Sequence, residues 1–447
     1  MNLKQYITTN GLTFQTREVF PSVHMNAAQT VRRTEATVSD DFLGFGVAIT
    51  GSSCYELSLM EPAQRRALLN DIYGKDGLAL SVARLTVGAS DYSAELYSYD
   101  DVEGDVSLTH FSIDRDRRYV IPMIKEILEI NPDLYFFSSP WSPPAWMKTG
   151  NNLCGGFMRD EYVECYAEYY VRYIEEYAKC GIRISAITPQ NETETHQHGK
   201  MPACIWHPET EAKFVKALRK KLDARGLDVK IWIFDHNFDG WERVLWSLRT
   251  LDGLKEACDG AAFHYYRGTP EGTLAIKREF PEIKLHFTEG GPRLYDNYAT
   301  DWCKWGIFAT RVLNAGYSSF TGWNLMLDET GGPNVGPFFC GGLVTRNSVS
   351  GELLYSGQSK ALRHIAPFFQ KGGRVVALEI SESPKGMDTY PKAGTPLAAS
   401  AVVNPDGSVV YLFVNDDVEK KQVEVVENGQ LYYVELLPNT VSTVVFG

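Results

Sequence analysis

Glu192 and Glu289 are the residues of this chain whose type and setting best suit chemistry. Each closes a short apolar run, Ser185-Ala-Ile-Thr-Pro-Gln-Asn-Glu192 and Lys284-Leu-His-Phe-Thr-Glu289. Burying a carboxylate costs free energy unless it is paired or used. One such glutamate could simply end its strand in a salt bridge. Two, at the C-terminal ends of parallel strands, are what acid/base and nucleophilic work on a glycosidic bond requires. Carboxyls about 5–5.5 Å apart give retention of configuration through a glycosyl-enzyme, and about 6.5–9.5 Å apart give inversion. The acid must hold a proton near neutral pH, so a raised pKa is expected for one glutamate and an ionised partner for the other. Asn191 offers an amide to a sugar hydroxyl, and Gly290-Gly291 is expected to leave open space for a ring.

The elements that must position these groups follow from hydrophobic periodicity. Eight short, nearly continuous apolar runs read as strands buried on both faces: 42–50, 80–88, 134–142, 185–192, 230–237, 260–266, 284–291 and 318–326. Amphipathic stretches between them (61–73, 115–130, 161–180, 208–224, 302–315) read as helices, with Pro62 suited to a first turn. The tyrosines 162, 166, 169, 173 and 177 fall at helical spacing and read as a core stripe rather than a sugar platform. Eight alternations predict an α/β chain with a (β/α)8 TIM barrel over residues 41–364. A doubly wound sheet would need a glycine-rich phosphate loop, and Gly44-Phe-Gly46 followed by Gly51 does not supply one.

After residue 365 the pattern changes to short strands (374–380, 397–403, 409–415, 422–427, 431–437, 440–446) with turn signals at Asn404-Pro-Asp-Gly407 and Glu427-Asn-Gly429. This predicts an accessory antiparallel β-sandwich over 365–447, joined by strand-like pieces of 1–40 such as Leu12–Phe20.

Composition narrows the function class. The 447 residues carry a net charge of −12, which argues against a nucleic-acid surface and against docking to anionic lipid. No run suggests a membrane span. The first ten residues lack an apolar signal core, so a cytoplasmic protein is expected, with secretion the alternative if a leader once preceded Met1. Eight cysteines without a C-x-x-C pair are expected as reduced thiols. His196, His198 and His207 are too irregularly placed for a catalytic zinc set, so neither metal nor cofactor is expected. The oligomeric state is open.

Taken together, Phe45-Gly46, Ala83-Arg84-Leu85, Asp91-Tyr-Ser93, Ser139-Pro-Trp-Ser-Pro-Pro-Ala-Trp-Met-Lys148, Gln190-Asn-Glu192, Phe263-His-Tyr-Tyr266, Phe287-Thr-Glu-Gly290, Gly322-Trp-Asn324 and Gly331-Gly-Pro-Asn334 resemble glycoside hydrolase family 30. That family includes acid β-glucosidases acting on glucosylceramide. The resemblance implies a barrel joined to a β-sandwich built from both chain ends, and a retaining reaction. It implies Glu192 as acid/base and Glu289 as nucleophile. It implies Asn191 on the hydroxyl next to the anomeric carbon, Trp141 and Trp323 as aromatic walls, and Arg84 and Tyr266 beside the nucleophile. Asp91 would hold distal hydroxyls and Asn334 would line the entrance. On residue type alone, Trp141 and Trp323 could equally be core, Arg84 a barrel-internal ion-pair partner, and His264 a satisfied polar core residue. One departure stands out: family members read Asn-Glu-Pro, whereas Thr193 follows Glu192 here, which puts the path of the next loop, 194–207, in doubt. The expected substrate is a β-glucoside cleaved from the chain end. β-Xyloside, β-fucoside, and endo-acting β-1,6-glucanase or xylanase activity are the alternatives. A non-catalytic carbohydrate-binding barrel would lack one carboxylate, and neither is missing.

Overall fold

The eight apolar runs pair side by side in parallel and close into a barrel in the computed structural model, which describes residues 3–21, 29–381 and 397–447. The strands are β1 (Gly44–Ile49), β2 (Val82–Thr86), β3 (Tyr135–Ser139), β4 (Ile184–Ile187), β5 (Lys230–Asn237), β6 (Gly260–His264), β7 (Lys284–Glu289) and β8 (Ser319–Gly322). β8 pairs with β1 to close the ring. β4 is shorter than its apolar run. Pro189 has no N–H to give the ladder, so Glu192 lies beyond the strand in a turn, at φ +55°. The expectation that Glu192 ends the strand is corrected to that extent.

Helices Pro62–Tyr73, Val120–Leu128, Val163–Lys179, Pro208–Ala224 and Trp302–Asn314 cover the barrel where the periodicity places them. The second begins later than expected, because residues 115–119 form turns. Helices Gly51–Ser58, Trp241–Thr250, Leu254–Ala257, Leu274–Glu279 and Gly357–Arg363 complete the layer without having been singled out from sequence. The tyrosine stripe is core: Tyr166, Tyr169, Tyr173 and Tyr177 are buried. Tyr97, Tyr99 and Tyr177 all donate to the buried Asp116 carboxylate at 2.5–2.6 Å, which satisfies polar groups that burial would otherwise penalise.

Inside the barrel, alternation along each strand sorts side chains by layer. Val82, Phe137, Ala186, Trp232 and Ala262 form an apolar floor. His286 stacks on Trp232 at 3.6 Å between ring centroids. Above this floor lie Arg84, Asp235 and His264, none of them exposed. The floor keeps water from the charged layer and strengthens its internal electrostatics.

Strands from both chain ends build one nine-stranded sheet. Lys4–Thr8 pairs antiparallel with Thr440–Phe446, and Gln29–Ser39 lies between Arg374–Ile380 and Lys421–Glu427. The sheet folds over itself into a sandwich: Tyr432 meets Phe446 edge-on at 5.0 Å, and Tyr411 donates to Glu427 at 2.8 Å, in each case between strands that are not neighbours in the sheet. The strand-like piece expected at Leu12–Phe20 is confined to Gln15–Glu18. All eight cysteines are free thiols, and no described helix is long and apolar enough to cross a membrane.

Candidate active site

The C-terminal end of the barrel opens into a cavity of about 270 Å³. Glu192, Glu289, Asp91, Asn191, Trp141, Trp323 and Tyr266 line it, as expected. Arg84 sits beneath them. Asn334 does not reach the wall: its Nδ2 donates to the Phe338 carbonyl, and its Oδ1 accepts from Gly336 N at 2.6 Å. Asn334 therefore braces the loop that carries Phe338, which corrects the expectation that it lines the entrance.

Glu289 completes β7, and its two oxygens are held differently. Oε2 accepts from Arg84 Nη1, and Oε1 accepts from the Tyr266 hydroxyl at 2.9 Å. Arg84 also donates through Nη2 to Asp235 Oδ2 and Asn191 Oδ1, both at 2.8 Å. Burial, the largest influence on Arg84, opposes its charge, but Asp235 and Glu289 outweigh it and raise its pKa. The guanidinium lies 4.8 Å from the Trp141 ring and 5.6 Å from that of Trp323, and the two indoles stack at 5.0 Å.

Gly290-Gly291 does not leave space for a sugar. A β-carbon on Gly290 would meet Phe287 and Tyr265 at 2.6 and 2.8 Å, and one on Gly291 would meet Trp323 at 2.9 Å. The glycines let the strand end pack against the aromatic wall.

His264 joins the two glutamates. Its Nδ1 lies 3.6 Å from Glu192 Oε1 and 3.8 Å from Glu289 Oε1, so both carboxylates face one imidazole nitrogen across one cavity. Its Nε2 contacts Asp235 Oδ1 at 3.0 Å. Burial pulls the His264 pKa down, but Glu289, Asp235 and Glu192 together raise it to about 9. His236, with Nδ1 3.8 Å from Glu192 Oε1, is lowered to about 4, chiefly by burial.

Glu192 departs from expectation in direction. Burial raises its pKa, yet His264, His236 and the Gln197 amide, which donates to Oε2, outweigh burial and lower it. A group with an imidazolium beside it favours its charged form. Asp91 behaves oppositely. Burial first, then repulsion from Glu289 and Glu192, raises it well above the carboxylate range, and its Oδ1 has no partner among the described residues. A protonated Asp91 can both donate to and accept from a sugar hydroxyl.

Sequence reasoning missed Asp235, His236 and Gln197. Asp235 is the hub of the site. It accepts from Arg84, from Ser139 and Thr188 at 2.7 Å on one oxygen, and from Thr288 at 2.7 Å on the other. This and the neighbouring cations hold it far below the usual carboxylate range. The legible signal was Asp235-His236-Asn237, a polar triplet ending an otherwise apolar strand. The histidines flagged from sequence do not converge: His196 Nδ1 accepts from His198 N, and His207 stacks on Phe157. Glu192, His236 and His264 do converge, with one ligating atom each within 4.8 Å of one another.

Residues 42–352 match the glycosyl hydrolase family 30 TIM-barrel domain, and residues 384–444 match the glycosyl hydrolase family 30 beta sandwich domain. The chain is 29% identical over 387 residues to an endo-1,6-beta-D-glucanase of Neurospora crassa, covering 83% of this chain and 78% of that protein. It is 27% identical over 411 residues to the lysosomal acid glucosylceramidase of Mus musculus, covering 84% and 75%. A solved endo-beta1,6-glucanase superposes with a TM-score of 0.87 at 28% identity, covering 100% of this chain and 99% of its own.

Proposed function

This chain belongs to glycoside hydrolase family 30 and is a glycoside hydrolase; on that premise we propose that it cleaves β-glucosides from a chain end with retention, Glu289 attacking and Glu192 serving as acid and then base. The observation that carries the roles is the asymmetry around His264. Glu289 is bound on both oxygens by cationic or hydroxyl donors, Arg84 and Tyr266, which fixes a carboxylate for in-line attack. Glu192 faces the mouth, with the His264 imidazole, whose proton the surrounding carboxylates favour, 3.6 Å away to resupply its own. Retention rests on the family reading together with both carboxylates lying within reach of one nitrogen.

The chemistry balances in two steps. Glu289 forms a bond to the anomeric carbon as the glycosidic bond breaks, and Glu192 gives its proton to the departing oxygen. Water then attacks the same carbon. Glu192 takes the water's proton, and Glu289 leaves. Through the first step the leaving oxygen takes the place of the Gln197 amide on Glu192. Losing that donor favours the protonated acid.

A cavity of about 270 Å³ falls just below the range of roughly 300–1,000 Å³ typical of drug-sized ligands and suits a single sugar unit. This supports attack at a chain end. Endo-acting cleavage of β-1,6-glucan is the second reading, favoured by the whole-length likeness to the solved endo-beta1,6-glucanase.

Glu289→Ala should abolish turnover and keep the fold. Glu192→Ala should slow unactivated glycosides by about 10²–10⁴ and nitrophenyl glycosides less. Azide should restore its rate and yield a β-glycosyl azide. Wild-type rates for Glu192→Ala on an unactivated glycoside, or an α-configured azide product, would refute the assignment. A panel of nitrophenyl β-glycosides reads the sugar preference directly.

A further inference from the structure

The cavity mouth holds a cation that the reaction above does not use. Arg293 is half-buried, with its guanidinium 5.4 Å from the Tyr266 ring and 5.8 Å from that of Phe338. Among the described residues no carboxylate pairs with it and no acceptor takes its protons. Arg267, also on the cavity wall, is tied to Asp239 at 3.0 Å. In a chain of net charge −12, a partly desolvated guanidinium without a partner is costly unless something else supplies acceptors. The frame around it is built. An antiparallel bridge joins Arg293 to Cys340, Leu294 N donates to Phe339 O at 3.3 Å, and Asn334 braces the loop leading to Phe338. Tyr295 and Phe339, on the two bridged segments, are 71% and 62% exposed.

We propose that Arg293, with the aromatic rings of Phe338 and Tyr266, forms a subsite for a second, neutral sugar on the leaving-group side, so that the substrate is a β-linked saccharide rather than a glycoside of an apolar alcohol. The inference rests on the glycosidase reading above. The attacked ring lies over the buried floor of Arg84 and Asp235, so the rest of the substrate must leave through this mouth. A sugar offers hydroxyl oxygens to the guanidinium and an apolar face to the aromatics. An alkyl chain would strip water from Arg293 and offer no acceptor. An anionic group would meet Glu192 and Glu289 across the cavity.

The test compares wild type with Arg293→Met on the β-linked disaccharides of glucose, on nitrophenyl β-glucoside and on octyl β-glucoside. The expected result is a kcat/KM loss on the best disaccharide about tenfold greater than on nitrophenyl glucoside, carried mainly by KM and partly restored by Arg293→Lys. In inactive Glu289→Gln protein, adding Arg293→Met should weaken binding of that disaccharide about tenfold. Equal losses on all substrates, or a loss confined to the octyl glucoside, overturn the subsite. Absence of glycosidase activity in the wild type would instead overturn the parent reading, and the binding measurement would still decide the subsite.

Discussion

His264 sets the charge balance of the site, since its ring lies between Glu192, Glu289 and Asp235. Arg84, whose charge its carboxylate partners favour, and His236, lowered by burial, share the site with Asp235, held far below the usual carboxylate range, and with Asp91, raised well above it. Gln197 tips that balance further toward ionised Glu192. With Gln197→Ala the carboxylate loses a donor, its pKa rises, and the acid stays protonated to higher pH. The basic limb of kcat/KM on an unactivated disaccharide should therefore move up in pH. A limb that stays in place or moves down would show that the amide does not act on Glu192. Asp235→Ala is predicted to be harsher, because Arg84 and His264 would be left as buried cations short of a partner. A loss of about 3–5 kcal/mol in urea unfolding is expected. These residues differ in how legible they were. Glu192, Glu289 and Asn191 stood at the ends of apolar runs, where one-dimensional pattern carries information. Asp235 and Gln197 owe their roles to contacts across the barrel, which periodicity does not encode.

At the scale of elements, the continuous apolar runs made all eight barrel strands readable, because strands buried on both faces leave no polar alternation to misread. Two local features escaped. Phe234 and Asp235 adopt positive φ within β5, and the pairing with β6 shifts register there, which aims Asp235 inward beside Arg84. The loop after Glu192 is organised by Lys148, the last residue of the tryptophan-rich motif. Its buried ammonium donates to the carbonyls of Leu153, Gly155 and Ala203 at 2.7–2.9 Å. These tie strand Cys154–Phe157 to strand Ala203–Ile205, and a β-carbon on Gly155 would lie 3.4 Å from His196 O, next to Gln197. Lys148→Met keeps the bulk and orphans three carbonyls. We expect a loss of about 3 kcal/mol, at roughly 1 kcal/mol per orphaned acceptor, read as a lowered melting temperature. The variant should also share the raised basic limb of Gln197→Ala, because the loop that carries the amide loosens. An unchanged melting temperature would mean that water replaces the ammonium without cost.

Across the whole molecule, barrel and sandwich are locked together at helix Trp302–Asn314. Trp302 Nε1 donates to Asn439 O at 3.0 Å, Asn314 Nδ2 to Ala399 O at 2.9 Å, and a β-carbon on Gly306 would meet Val414 at 2.9 Å and Val441 at 3.0 Å. His364, following helix Gly357–Arg363, ties in both chain ends. Its Nε2 contacts Thr8 Oγ1 at 2.6 Å, and Thr443 donates to its carbonyl at 2.5 Å. Burial, its largest influence, lowers the ring's pKa from 6.5 to about 3, so it stays neutral in the folded protein where the unfolded chain is already charged. Above about pH 6.5 the ring is neutral in both states and costs nothing. As pH falls from there toward 3, only the unfolded state takes the proton, and stability drops by about 1.4 kcal/mol per unit for this group. His364→Gln should remove one proton's worth of that slope between pH 6 and 4.5, measured as urea-unfolding free energy against pH, even if the variant starts less stable at pH 7. Because the ring bridges both ends of the sheet to the barrel, probes in the two regions, such as barrel tryptophan fluorescence and far-ultraviolet β signal, should report one acid transition. Two separate transitions would mean that the docking seen at His364 and Gly306 does not couple the two halves.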